Sequence, residues 1–165
     1  MKIKHLHLLL LLALCMPWSA KAQNSIPDTL SVNYGSSFSN SAVPIASAYA
    51  DYDTQSQFIL LKEGLMAMTG GIVNKMTFYC KGKENGNWGN ARFSIYVAEV
   101  LDTEFTNAAA SYWDWDSMSE VYTGSLSINN YKVEIVLDTP FTYNGGNLKI
   151  GFKQVQAGST ISSMS

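Results

Sequence analysis

Apolar and polar residues alternate with a period of two through long parts of the chain. Ala91-Arg92-Phe93-Ser94-Ile95-Tyr96-Val97 is the clearest run, and Tyr131-Lys132-Val133-Glu134-Ile135 repeats the pattern. Leu148-Lys149-Ile150-Gly151-Phe152-Lys153 does the same, with both lysines on one face. Successive strand side chains point to opposite sides, so this alternation predicts half-buried antiparallel strands. Met76, Phe78 and Cys80 share the apolar parity of a further strand. Cys80 then reads as an inert core thiol, because apolar surroundings disfavour the thiolate.

Turn residues punctuate these runs. Asn129-Asn130 separates Leu126–Ile128 from Tyr131–Leu137, and asparagine tolerates the positive φ of a type I′ hairpin turn. Asn144-Gly145-Gly146-Asn147 stands before the Leu148 run, and Glu84-Asn85-Gly86-Asn87 lies between the Met76 and Ala91 runs. Short strands with regularly recurring turns predict an all-β fold, an antiparallel β-sandwich. One helical turn is expected at Lys62–Met68, stopped by Gly70-Gly71.

The N-terminus follows another logic. Lys2 and Lys4 precede an apolar run, Leu6 to Met16, broken by His7 and closed by Pro17. Ala20-Lys21-Ala22 then supplies the small-x-small pattern of signal peptidase, so residues 1–22 read as a secretory signal and Gln23 as the mature start. The run is too short to span a bilayer permanently, and no transmembrane segment is expected in the mature chain. A lipoprotein box at Leu12-Ala13-Leu14-Cys15 is the weaker alternative, since the bulky Leu14 stands where a small residue is wanted. The rest, residues 23–165, has the length of one domain with one core.

Processing changes the chemistry available. It removes Lys2, Lys4 and Lys21, so eight basic residues face thirteen acidic ones and the net charge becomes −5. Nucleic acid is an unsuitable partner for such a surface, which has no basic patch to displace phosphate counterions. It also removes Cys15, His5 and His7, leaving Cys80 as the one cysteine and no histidine. Intramolecular disulfides, histidine triads, histidine–zinc sites and histidine general bases are thereby excluded.

Ser111-Tyr112-Trp113-Asp114-Trp115-Asp116-Ser117-Met118 concentrates rings and carboxylates. An indole can stack on a sugar while carboxylates accept hydrogen bonds from its hydroxyls. Strict alternation in a strand would send Trp113 and Trp115 to one side and Asp114 and Asp116 to the other, which argues against a joint role. A turn, for which Asp116-Ser117 is suited, would break that alternation. Core or rim packing is the competing reading. Trp88, between Gly86-Asn87 and Gly89-Asn90, is the better candidate for an exposed ring, although an indole covering the end of the sandwich explains it as well.

No cofactor is expected, apart from structural calcium. Asp51-x-Asp53 and Asp114-x-Asp116 are spaced to share a hard cation, but neither has the glycine and distal glutamate of an EF-hand loop. Solvated turn residues are the simpler reading. An enzyme would have to work with carboxylates, and Glu99 and Glu104 are near in sequence without any sign of pairing. No S-x-x-K or G-x-S-x-G pattern occurs. The chain therefore reads as non-catalytic.

Four stretches carry a family resemblance: SQFILLKEGLMAMTGGIVNKMTFYCKG, WGNARFSIYVAEV, VYTGSLSI and LDTPFTYNGGNLKIGF. They resemble an N-terminal β-sandwich module of secreted bacterial surface proteins that carry fibronectin type III repeats. They are distantly similar to the jelly-roll adhesin domains attached to some surface proteases. The resemblance runs from about Leu30 to Ser165, and DTPFTYNGGNL is its most specific motif. It implies a jelly-roll-like sandwich and a place at the bacterial outer surface, and it supplies no catalytic residues. Members of that family continue past the position of Ser165 with further strands and then the repeats. The resemblance thus implies a sandwich without its last strands and a neighbouring strand with an unpaired edge.

The expected function is a secreted, non-catalytic binding or adhesion module, with a surface glycan or a host or matrix protein as ligand. Loops around Trp88 and Trp113–Asp116 are its expected site. A structural spacer in a larger surface protein, or an accessory domain of a secreted hydrolase, is the alternative.

Overall fold

The structure is a computed structural model that describes residues 25–32, 54–80, 83–105 and 114–159. The signal segment expected at residues 1–22 lies outside the described residues. Among the described residues eight strands follow in chain order: β1 Gln55–Leu60, β2 Ile72–Tyr79, β3 Gly86–Asn87, β4 Arg92–Val100, β5 Ser119–Gly124, β6 Ser127–Ile128, β7 Lys132–Thr142 and β8 Asn147–Gln156. All pair antiparallel, in a four-stranded sheet of order β1-β8-β4-β5 and two ribbons, β2-β7 and β3-β6. The first strand pairs with the last and the second with the last but one, so the chain is folded back on itself as a nested ribbon.

The core lies between the four-stranded sheet and the β2-β7 ribbon. Phe78 of β2 meets Phe152 of β8 and Phe58 of β1 edge-on, with centroids 5.5 and 6.1 Å apart. Around this triad Phe93, Ile95, Val97 and Ile150 come from the sheet, and Met76, Val133, Ile135 and Leu137 come from the ribbon. Burying each such side chain contributes roughly 1.5–3 kcal/mol relative to leaving it in water. The result is an all-β, sandwich-like fold of antiparallel sheets that do not close into a barrel. Among the described residues, no helix is long and apolar enough to cross a membrane.

Three local expectations are refined. The helical turn consists of two 3-10 turns, Lys62–Gly64 and Met66–Met68, around the buried Leu65. The hairpin turn sits one residue later than the asparagine pair suggests. Asn129 and Lys132 exchange both backbone hydrogen bonds, at 2.8 and 3.0 Å, so Asn130 (φ 48°) and Tyr131 (φ 60°) are its central residues. The cause is tertiary: the Asn130 N–H donates to Asn85 Oδ1 and the Tyr131 N–H to the Glu84 carbonyl, which pins the turn to the 84–85 loop. β8 is also more than half buried. Six consecutive residues, Asn147–Phe152, are buried because β1 and β4 flank the strand and other groups cover its second face. Both edges of β8 are paired, to β1 on one side and β4 on the other.

Polar clips close the end of the sheet. The Glu99 carboxylate accepts the N–H groups of Asn144 and Gly146, each at 2.7 Å, and the Asn144 side-chain amide at 2.9 Å. Burial alone would push the Glu99 pKa up, but these donors outweigh it and hold the carboxyl below the usual glutamate value. Tyr143 is fully buried, and its hydroxyl donates to the Gly146 carbonyl at 2.7 Å. The buried Asn147 side chain donates to the carbonyls of Leu101 and Asp102 and accepts the Lys62 N–H. Cys80 packs half-buried against the core, and burial raises its thiol pKa.

Candidate functional site

The face of the four-stranded sheet turned away from the core has a different composition. In register across β1, β8 and β4 it presents three rows: Gln55, Lys153 and Ser94; Gln57, Gly151 and Tyr96; Ile59, Lys149 and Ala98. These are the positions between the core residues Phe58, Ile95, Val97, Ile150 and Phe152 on the same strands. Alternation alone therefore builds a mainly polar surface on the back of an apolar one.

Trp115 lies across this surface. It opens the 3-10 turn Trp115–Ser117, in which the Met118 N–H bonds to the Trp115 carbonyl at 3.1 Å. The Ser117 hydroxyl closes the turn on the Asp114 carbonyl at 3.0 Å. The benzo edge of the indole sits where a side chain at position 151 would be: a Cβ on Gly151 would collide with Cζ3 and lie 3.1 Å from Cη2. Glycine at this position is what lets the ring descend onto β8. The Tyr96 ring stands beside the indole, with centroids 5.0 Å apart and planes at 49°. The indole N–H donates to Gln55 Oε1 at 3.3 Å, and Lys153 Nζ stands 5.9 Å from the ring centroid. One turn thus carries an indole into contact with residues of three strands.

Polar groups surround the ring. The Tyr96 hydroxyl donates to Glu120 Oε2 at 2.9 Å. Burial, the Glu120 bond and nearby negative charge raise the tyrosine pKa, so the hydroxyl stays a protonated donor. Gln57 places its amide nitrogen 3.9 Å from Met118 Sδ, while its buried Oε1 has no hydrogen-bond partner among the described residues. Lys149 is only 8% exposed, and its ammonium lies 6.0 Å from the centroid of the Phe105 ring.

The expected site residues separate in this frame. Trp115 is half-buried on the sheet face, and Asp114 and Asp116 are exposed on the turn that carries it. A turn, and no strand, occupies this stretch, so the alternation argument against a joint role does not apply to residues 114–117. Trp113, Asp51 and Asp53 lie outside the described residues. Trp88 does not offer an exposed ring: it is 3% exposed and packs edge-to-face on Phe93, with centroids 6.1 Å apart. The 158–159 segment lies on its backbone, where the Ser159 N–H donates to the Trp88 carbonyl at 3.0 Å. Among the described residues no group of three or more histidine, cysteine, aspartate or glutamate side chains is gathered for a metal ion.

Sequence reasoning missed Gln55, Gln57, Tyr96 and Glu120 as companions of Trp115. For the first three the signal was present: they hold the outward parity of strands whose inward parity is apolar. The pairing that brings strands distant in sequence side by side was not readable. No family model, curated protein or solved structure matches the chain.

Proposed function

We propose that this is a secreted, non-catalytic surface module that binds a glycan on the outer face of its four-stranded sheet, with Trp115 as the stacking platform. The observation that carries the reading is the immobilised indole. Gly151, Tyr96 and Gln55 hold the ring in place before any ligand arrives, which lowers the ordering cost of binding. Amides, a tyrosine hydroxyl and carboxylates around an aromatic ring match a sugar, which has an apolar C–H face and a rim of hydroxyls. Export is supported by the composition of residues 1–22. A binding role is favoured over catalysis by the use of Glu99: its carboxylate is spent on the 144–146 turn with a pKa below the ordinary value, which suits an anchor and not a general acid.

Trp115→Ala tested on a broad glycan array provides the check. Loss of binding with an unchanged circular dichroism spectrum and a retained unfolding transition supports the reading. A variant that binds as the parent does removes Trp115 from the site, and a parent that binds no glycan and no matrix protein leaves the spacer role in place of binding.

A further inference from the structure

We infer that the glycan bound at Trp115 is acidic, with its anionic substituent received by Lys153; this rests on the glycan reading of the same face. The two lysines project from outward positions of one strand, on either side of Gly151, the residue on which the indole rests. Lys153 Nζ stands 5.9 Å from the centre of the Trp115 ring, and Lys149 Nζ stands 6.0 Å from the centre of the Phe105 ring. Such ring contacts hold an ammonium in place without neutralising it. The sole ion pair among the described residues, Lys75 with Glu134, is on the other sheet. Neither lysine of this face is paired with a carboxylate among the described residues, in a chain whose formal net charge is negative.

The carboxylates nearby act on the opposite flank. Glu120, on β5, is engaged by the Tyr96 hydroxyl, and Asp116, whose charge is felt at Tyr96, is exposed on the turn. Neither comes within 4.0 Å of Lys149 or Lys153. The face is thus bipolar across the indole, with acceptors for sugar hydroxyls toward β5 and cations on β8. A pyranose stacked on Trp115 with a carboxylate on its ring satisfies both flanks at once. A neutral sugar leaves Lys153 unused, and an isolated anion leaves the ring unused.

Polygalacturonate and its fully methyl-esterified form separate charge from backbone, and galactan serves as a neutral reference, in affinity electrophoresis and calorimetry. The acidic polymer is expected to bind about tenfold more tightly than its ester, a gap that closes with added salt. Lys153→Gln, with an unchanged unfolding transition, is expected to reduce the acid to the level of the ester and to leave the ester's binding alone. Equal binding of acid and ester, or a Lys153→Gln variant that keeps the preference, overturns the anion subsite and leaves the glycan reading standing. Retention of none of the three polymers and of no other glycan removes both.

Discussion

The two faces of the four-stranded sheet are made by the same strands and share every backbone hydrogen bond, yet they do different work. On the inner face Ile95, Val97, Ile150 and Phe152 pack to within a few per cent of complete burial. On the outer face the intervening positions are Ser94, Tyr96, Lys149, Gly151 and Lys153, and one indole covers their centre. Apolar burial is non-directional and nearly proportional to area, so the inner face tolerates swaps that keep volume. The outer face depends on directional contacts and on one missing side chain. Apolar packing is thus concentrated on one side of the sheet and the proposed binding chemistry on the other, so that each can be removed while the other is followed.

The largest effect is expected inside. Phe152→Ala removes the ring that stacks with Phe58 at 6.4 Å and meets Phe78 edge-on, and it is expected to cost about 3–5 kcal/mol in urea unfolding. A cost below about 1 kcal/mol would show that the faces are not divided in this way. Gly151→Ala comes next. The added Cβ meets the Trp115 ring, so a loss of about 1–3 kcal/mol and a shifted tryptophan emission are expected. The double variant with Trp115→Ala should recover most of that loss, whereas additive losses would separate Gly151 from the indole.

Glu99→Gln tests the clip at the end of the sheet and is expected to cost about 1.5–3 kcal/mol at neutral pH, since charged hydrogen bonds are replaced. Its sign with pH follows from the lowered folded pKa. The stabilisation is fully present above the unfolded glutamate value and fades as the pH falls through the lower folded value. The gap between parent and variant should therefore shrink in acid, and a gap that widens would contradict the assignment. The smallest effect is expected from Lys153→Gln, within about 0.5 kcal/mol in unfolding, because a side chain on the outer face carries little of the stability. A kinetic check sharpens the inner boundary: Cys80, with its raised thiol pKa, should alkylate more slowly in the folded chain than in urea.

Strand periodicity was enough to identify the core-facing residues of β2, β4, β7 and β8, because a strand sends alternate side chains to opposite sides and only one parity of each run is apolar. The sequence also located the turns at 62–70 and 144–147, where glycine ends a helical turn or permits a positive φ, and it marked the stretch containing Trp115 as rich in ring and carboxylate. Tertiary structure decided the rest, for reasons that are non-local. Whether Trp88 or Trp115 faces outward depends on what packs above each ring: Phe93 and the 158–159 segment bury the first, while Gly151 and Tyr96 seat the second on the sheet. The hairpin turn moved by one residue because the 84–85 loop supplies its hydrogen bonds from about forty-five positions away. β8 is covered on both faces because the core packs on one and the Trp115 ring lies on the other, and its pairing with β1 spans 88 to 98 residues, which no local pattern encodes.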